Sequence, residues 1–140
     1  MFASRAQHLH TKILPALKQG CWVICDRFTD ASYAYQGGGR GIPPVRISIL
    51  EKWVQHHFRP DLTLVLTAPI ELALSRAASR SQPDRIESET KNFFVRVQNA
   101  YVERAKSDTA RYKLVKANRC INQVKEQIQD IIDAFIQENR

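Results

Sequence analysis

The sequence has few cysteines and no long apolar run. Its three cysteines, Cys21, Cys25 and Cys120, are an odd number without a C-x-x-C pair. This argues against a disulfide framework or a zinc ribbon and suits a reducing compartment. No segment approaches the roughly 18 apolar residues of a membrane span, and the first residues have no apolar core of the signal-peptide type. We therefore expect a cytoplasmic protein without a membrane partner.

The sequence has fewer acidic than basic residues, 14 Asp and Glu against 21 Lys and Arg, which gives a net charge of +7. This balance favours anionic partners such as nucleotides, nucleic acid or an anionic membrane. Charge alone supports nucleic acid, because neither aromatic-rich strand faces nor a recognition helix is evident. The histidines do not indicate a metal enzyme: His8 and His10 point to different helix faces, His56 and His57 are adjacent, and no carboxylate lies at ligand spacing to either pair. A small anionic ligand and no nucleic acid is the expectation.

Helical and strand patterns alternate along the chain. Apolar steps of three and four predict helices, and short apolar runs predict buried strands. The helices are expected at 2–18, with a bend near Pro15, and at 29–35, 43–54, 69–78, 93–105 and 124–135. In the helix at 43–54, the apolar face is formed by Ile47, Leu50 and Val54. The strands are expected at 21–25, 62–66 and 112–115. This order implies βαβ units. We predict an α/β fold, a parallel sheet flanked by helices, with a single domain over residues 1–140.

Asp26 and Arg27 follow the first predicted strand directly. In open parallel sheets, ligands bind at the carboxyl ends of strands. An aspartate there can hold hydrated Mg²⁺, and an arginine can grip a phosphate with two hydrogen bonds, which are both tasks of phosphoryl transfer. The alternative is a salt-bridged pair that closes the strand. Spacing alone does not separate the two interpretations.

A glycine cluster, GGGRG at residues 37–41, lies in the region that follows. A phosphate-binding P-loop has the form G-x-x-x-x-G-K-[ST] between a strand and a helix. Here no Lys-Ser or Lys-Thr follows, and a short predicted helix separates the glycines from the strand. The cluster is therefore predicted to break that helix and to be a flexible connector between helices, in which Arg40 could still touch an anion.

Five segments together carry a family resemblance: MFASRAQH, DRFTDASYAYQGGGRG, RPDLTLVL, DRIE and FFVRVQNAYVERA. In this order the chain resembles bacterial thymidylate kinase, a P-loop nucleoside monophosphate kinase, over essentially all 140 residues. The resemblance implies a three-layer α/β/α fold and ATP-dependent phosphorylation of dTMP to dTDP for dTTP synthesis. It further implies Mg²⁺ as cofactor, dTMP and ATP as ligands, and a homodimer.

Placed on this sequence, the resemblance implies a dTMP site. Phe2 would stack on the thymine and Arg5 would hydrogen-bond it, while Ser32 and Gln36 would lie near the base. Tyr35 would pack at the sugar and disfavour a ribose 2′-hydroxyl. Aromatic faces suit base stacking and guanidinium groups suit polar recognition. For both Phe2 and Tyr35, a role in core packing is the alternative.

The resemblance also implies the residues of phosphoryl transfer. Arg27 would bind the acceptor phosphate, and Asp26 would lie beside Mg²⁺ without ligating it directly. Residues 76–89 resemble a lid that closes over ATP. Arg80 and Arg85 in it could neutralise charge on the transferring group. The alternative for these lid arginines is a solvated charged surface.

On the ATP side, the resemblance implies roles for Arg76, Asn118 and Arg119, the last two towards adenine. The chain departs from the family here. The family usually has Asp at the ends of these strands, whereas this sequence has Thr67 and Lys116. These departures weaken the transfer of detailed contacts on this side.

In the family, a strand, the P-loop, a helix and a second strand precede the helix with which this sequence begins. The resemblance therefore implies the C-terminal two-thirds of the fold, N-terminally incomplete, with a gap between the strands at 21–25 and 62–66. We expect such a chain to be inactive alone, because the P-loop positions the ATP phosphates and Mg²⁺. The alternative is a catalytically dead dTMP-binding fragment or a partner subunit.

Overall fold

The computed structural model describes residues 1–79 and 89–139. It divides into two compact units, Met1–Arg59 and Pro60–Arg140, and each is described here by itself. The prediction of a single domain over residues 1–140 stays a prediction. Within the described residues, no helix is long and apolar enough to cross a membrane.

The first unit begins with a continuous helical stretch, as predicted. Helix α1 (Phe2–His8) passes into a π-helical turn (Leu9–Ile13) and then into α2 (Leu14–Lys18). Pro15 explains the wider turn, since it lacks the N–H for a normal helical hydrogen bond and its ring crowds the preceding turn. Leu9 and Ile13 are buried there and form a core with Phe28.

The predicted strand at 21–25 is not formed. Among the described residues the sheet has two strands, and neither comes from this segment. Exposure nevertheless alternates as in an extended chain: Val23 and Cys25 pack against the core, whereas Trp22 and Ile24 are 70% and 98% exposed. Apolar pattern alone cannot make a strand, because its backbone groups need a neighbouring strand to bond.

The predicted helix break at the glycines is also wrong. Helix α3 (Thr29–Ser32) continues as a π-helical stretch (Tyr33–Gly39). A Cβ on Gly37 would lie 3.3 Å from Ile47 Cδ1, so Gly37 permits a close approach of the helix that carries Ile47. Gly41, with φ of +74°, makes the actual turn. The glycines are thus mostly packed helix, and the connector is short.

Helix α4 (Pro44–Gln55) follows, with proline at its first position as predicted. Of the predicted apolar face, Ile47 is buried, whereas Leu50 is 39% exposed. The helix ends at Gln55, and His56 turns the chain with φ of +53°. The opposite face exposes Val45, Ile49 and Trp53.

The second unit confirms the predicted parallel α/β pattern. Its elements are β1 (Thr63–Thr67), α5 (Ile70–Ala78), α6 (Lys91–Ser107), β2 (Tyr112–Lys116) and α7 (Ile121–Glu138). The strands pair in parallel with Thr63 opposite Tyr112. Val65, Ala105 and Tyr112 form a buried cluster between the sheet and α6, joined by Tyr101. All five elements lie where the sequence predicted them, within a few residues.

Candidate nucleotide site

The turn at Asp26 and Arg27 has a strained backbone. Arg27 has φ of +62°, a left-handed conformation uncommon in residues other than glycine. Its guanidinium lies 5.3 Å from the centre of the Tyr35 ring. No ion pair joins Asp26 to Arg27, both of which are described, so the salt-bridge alternative does not hold. Both side chains are exposed and available to a ligand. Strain of this kind often accompanies functional sites.

Arg5 lies at the centre of a second group of predicted residues. Its Nη2 donates to the Phe28 carbonyl at 3.3 Å and to Ser32 Oγ at 3.2 Å. The guanidinium lies 4.7 Å from the centre of the Phe2 ring and 5.5 Å from that of Phe28. Two hydrogen bonds, one to a backbone carbonyl and one to a side chain, and two aromatic rings therefore hold this cation in place.

The other terminal nitrogen of Arg5, Nη1, is buried and has no hydrogen-bond partner. Burial is also the main reason that the pKa of Arg5 lies below its ordinary value, with nearby Cys25 and acidic groups opposing the shift. A buried donor without an acceptor costs roughly 1–3 kcal/mol. Nη1 therefore lacks an acceptor, and a carbonyl oxygen brought to it would remove this cost.

Ser32 and Gln36 differ in what they offer a ligand. Ser32 is only 1% exposed, and its hydroxyl accepts from Arg5 and donates to Met1 Sδ at 3.5 Å. It therefore supports Arg5 from behind. Gln36, one turn further on, buries its Oε1 without a partner. Phe2, Arg5 and Ser32 are thus brought together, and Arg27 is brought to Tyr35.

The carboxyl ends of β1 and β2 in the second unit form an open hollow of about 470 Å³. Arg76 does not line it, because its Nη1 donates to the Ala117 carbonyl at 2.7 Å and ties α5 to the end of β2. Gln98 donates to the Ala68 carbonyl at 2.8 Å. No pattern in the sequence pointed to Gln98. The lining residues are Thr67, Ala68, Pro69, Gln98, Lys116, Asn118 and Arg119.

The predicted lid and metal sites are only partly described. Arg80 and Arg85 lie outside the described residues, as does most of the segment 76–89. In the part of the chain that is described, no group of three or more His, Cys, Asp or Glu could hold a metal ion. A lone exposed carboxylate such as Asp26 fits Mg²⁺ that is carried mainly by phosphates and water.

Residues 1–128 match the family model described as thymidylate kinase. The chain belongs to the thymidylate kinase family. A thymidylate kinase of Ruthia magnifica is 52% identical over 135 residues, 96% of this chain and 66% of that protein. One from Pseudomonas savastanoi is 50% identical over 140 residues, 100% of this chain and 67% of that protein.

The crystal structure of thymidylate kinase from Ehrlichia chaffeensis is similar with a TM-score of 0.70 and 28% identity, covering 94% of this chain and 60% of that one. These findings confirm the family and the α/β fold class. The chain spans about two thirds of the length of these thymidylate kinases.

Proposed function

We propose that these residues form the acceptor-nucleotide side of a dTMP kinase, which transfers the γ-phosphoryl group of ATP to dTMP and yields dTDP and ADP. The observation that carries this proposal is the Arg5 guanidinium, which lies against the rings of Phe2 and Phe28 and whose Nη1 has no hydrogen-bond partner. A thymine carbonyl supplies the missing acceptor, and an aromatic face supplies stacking. Family membership supports the same reading.

In this proposal, Phe2 stacks on the thymine, Arg5 donates to a carbonyl of the base, and Gln36 lies near it. Tyr35 packs against the sugar, where its ring disfavours a ribose 2′-hydroxyl. Ser32 acts through Arg5, because its hydroxyl is already bonded on both sides within the protein. The site thus recognises base and sugar with residues of α1 and the α3 region.

Arg27 binds the 5′-phosphate of dTMP with its guanidinium fork. Stacking of the Arg27 guanidinium on Tyr35 keeps the fork beside the sugar site. The acceptor phosphate is already anionic at neutral pH, so the reaction needs no strong general base. Mg²⁺, when bound with ATP, supplies charge neutralisation, and Asp26 is placed to hold its water shell. Arg80 and Arg85 are proposed to neutralise the transferring group.

The hollow at the ends of β1 and β2 is proposed as the ATP side. Asn118 and Arg119 line it and can contact adenine, whereas Arg76 shapes it through Ala117. The polar lining from Thr67 and Lys116 replaces the acidic residues that the resemblance predicted. Lys116 offers a cation to an anionic ligand in this position.

The 140 residues contain no G-x-x-x-x-G-K-[ST] motif. We therefore propose that on their own they bind dTMP without turning it over, as a nucleotide-binding fragment or partner subunit. Calorimetry with dTMP should show binding, and a coupled ADP-release assay should show no turnover. Arg27→Gln should lose most dTMP affinity, with Arg46→Gln on α4 as the exposed control. Near-normal turnover by these 140 residues would contradict the proposal.

The same measurement separates nucleotide from nucleic-acid binding. We propose a cytoplasmic protein that binds no nucleic acid. Bound dTMP should be displaced by excess dTMP and not by duplex DNA at moderate salt. A steep loss of DNA affinity with rising salt would instead favour a basic nucleic-acid-binding protein.

We also propose a homodimer that covers the exposed face of α4. Val45, Ile49 and Trp53 are 63%, 60% and 77% exposed and recur every four residues along one helix face. Contiguous exposed apolar patches of this kind usually mark interaction sites. Trp53→Lys should shift the sedimentation profile towards monomer, whereas Lys52→Ala beside it should not. A monomeric unchanged chain at micromolar concentration would refute the dimer.

A further inference from the structure

A buried polar side chain, Gln55, lies at the end of α4 with no role in the proposed site. It is 2% exposed, and a fully buried glutamine has to satisfy both ends of its amide. Its Oε1 accepts from Thr29 Oγ1, and its Nε2 donates to the Phe58 carbonyl at 3.1 Å. The Gln55 backbone carbonyl in turn accepts from Phe58 N at 2.8 Å. Gln55 therefore fixes Phe58 through both backbone and side chain.

These contacts lead directly to the strained turn. Thr29 is 3% exposed and is the first residue of α3, two positions after Arg27. Between them, the Phe28 ring meets the Phe58 ring edge-on, with centroids 6.3 Å apart. The turn is thus attached to the end of α4 by one polar tie, Thr29 to Gln55, and one aromatic tie, Phe28 to Phe58.

A left-handed arginine needs support of this kind. Non-glycine residues with a φ in this range are strained and persist only where the surroundings enforce them. The two residues that follow Arg27 are Phe28 and Thr29, and both are held by the segment 55–58. Release of Thr29 would let Arg27 relax to a right-handed or extended conformation, which would point its guanidinium elsewhere.

We propose that Gln55 is a positioning residue for the acceptor phosphate: through Thr29 it holds the turn that aims Arg27. The inference rests on the proposed function, since the phosphate is that of dTMP. It has a specific signature, because Arg5 and Phe2, which are proposed to hold the base, lie on α1 and make no hydrogen bond with Gln55. Loss of Gln55 should weaken binding of the phosphate and leave binding of the nucleoside unchanged.

Calorimetry with dTMP and with thymidine, which lacks the phosphate, tests this in the full 140-residue chain. Gln55→Leu should lower dTMP affinity about tenfold, the effect of one misplaced charged hydrogen bond, and change thymidine affinity less than about twofold. Thr29→Val should do the same, and the double variant should lose no more than either single variant. Thr29→Ser, which keeps the hydroxyl, should bind both ligands as the unchanged chain does.

The outcomes are distinguishable. If the unchanged chain binds neither ligand, the proposed function fails and the inference falls with it. If it binds dTMP and the two affinities fall together in Gln55→Leu and Thr29→Val, Gln55 supports the fold as a whole and the positioning role is overturned. Equal dTMP affinity in all variants overturns it as well. Thermal melts of each variant fix a temperature at which all are folded, and Thr29→Val provides the milder change should Gln55→Leu not fold.

Discussion

Replacement of Arg5 by Met tests the proposed ligand recognition separately from the stability of the fold. Methionine has similar length and stays apolar, so it keeps the stem of the side chain among Phe2 and Phe28 but removes every donor. The change therefore deletes the contacts of Nη2 with Phe28 and Ser32 together with the unpartnered Nη1.

The expected stability change is small because opposing terms nearly cancel. The two hydrogen bonds, at 3.3 and 3.2 Å, contribute about 1 kcal/mol each. Removal of a half-buried cation with an unpartnered donor stabilises the folded state by about 1–3 kcal/mol. We expect the free energy of unfolding to change by less than about 1 kcal/mol. Burial lowers the pKa of Arg5 in the folded state, so any pH dependence from this group falls at strongly alkaline pH and none is expected between about pH 6 and 9.

Binding should respond far more than stability. Loss of the charge-assisted hydrogen bond that we propose between Arg5 and the base should cost about 1.5–3 kcal/mol, which is roughly 10–100-fold in the dissociation constant for dTMP. Urea unfolding and calorimetry on the same preparation measure the two quantities, and Arg46→Met on the exposed face of α4 is the matched control. A variant destabilised by several kcal/mol that still binds dTMP normally would refute the reasoning.

The further predictions concern three other positions, Cys25, Phe93 and Gly41. Burial raises the pKa of Cys25, so iodoacetamide should alkylate it severalfold more slowly than exposed Cys21 and Cys120, as peptide mass spectrometry would show. The neutral Cys25 thiol contributes its full stabilisation below the ordinary pKa of a cysteine, and this contribution is lost as pH rises through the raised pKa of the folded state. A Cys25→Ser chain with an unchanged alkaline stability profile would contradict this. Phe93, 3% exposed, should cost about 3–5 kcal/mol of unfolding free energy when replaced by Ala, and a loss below 1 kcal/mol in urea would count against its packing. Gly41→Ala should cost about 1–2 kcal/mol from its positive φ alone, since nothing lies within 4 Å of the added Cβ, and an unchanged melting temperature would exclude this.

Local pattern predicted the second unit well. Helix α6 and strand β2 each carry their own periodicity, and their partners lie within the same unit, so local and tertiary preferences agree. The segment 21–25 has an equally clear strand pattern but has no paired neighbour among the described residues. Strand formation depends on a partner that the local sequence does not encode.

Tertiary packing overrode propensity at the glycines. Gly37 and its neighbours are poor helix formers, yet the close approach of Ile47 favours a helix there, and only the structure shows that contact. The candidate site likewise divides into features that the sequence predicted and features that only the structure shows. Motif resemblance pointed to Arg5 and Arg27, whose roles stay predictions. The unpartnered Nη1, the left-handed turn and the contacts behind the proposed role of Gln55 appear only in three dimensions.

A strand partner for the extended segment 21–25 would link the stability of the first unit to mass action. Ile24 is 98% exposed beside a backbone that enters no sheet among the described residues. A chain that supplied a neighbouring parallel strand would bind only the folded form and would stabilise it in proportion to the logarithm of its concentration. The melting temperature of the first unit would then report on the amount of such a strand, and folding and assembly would be one equilibrium.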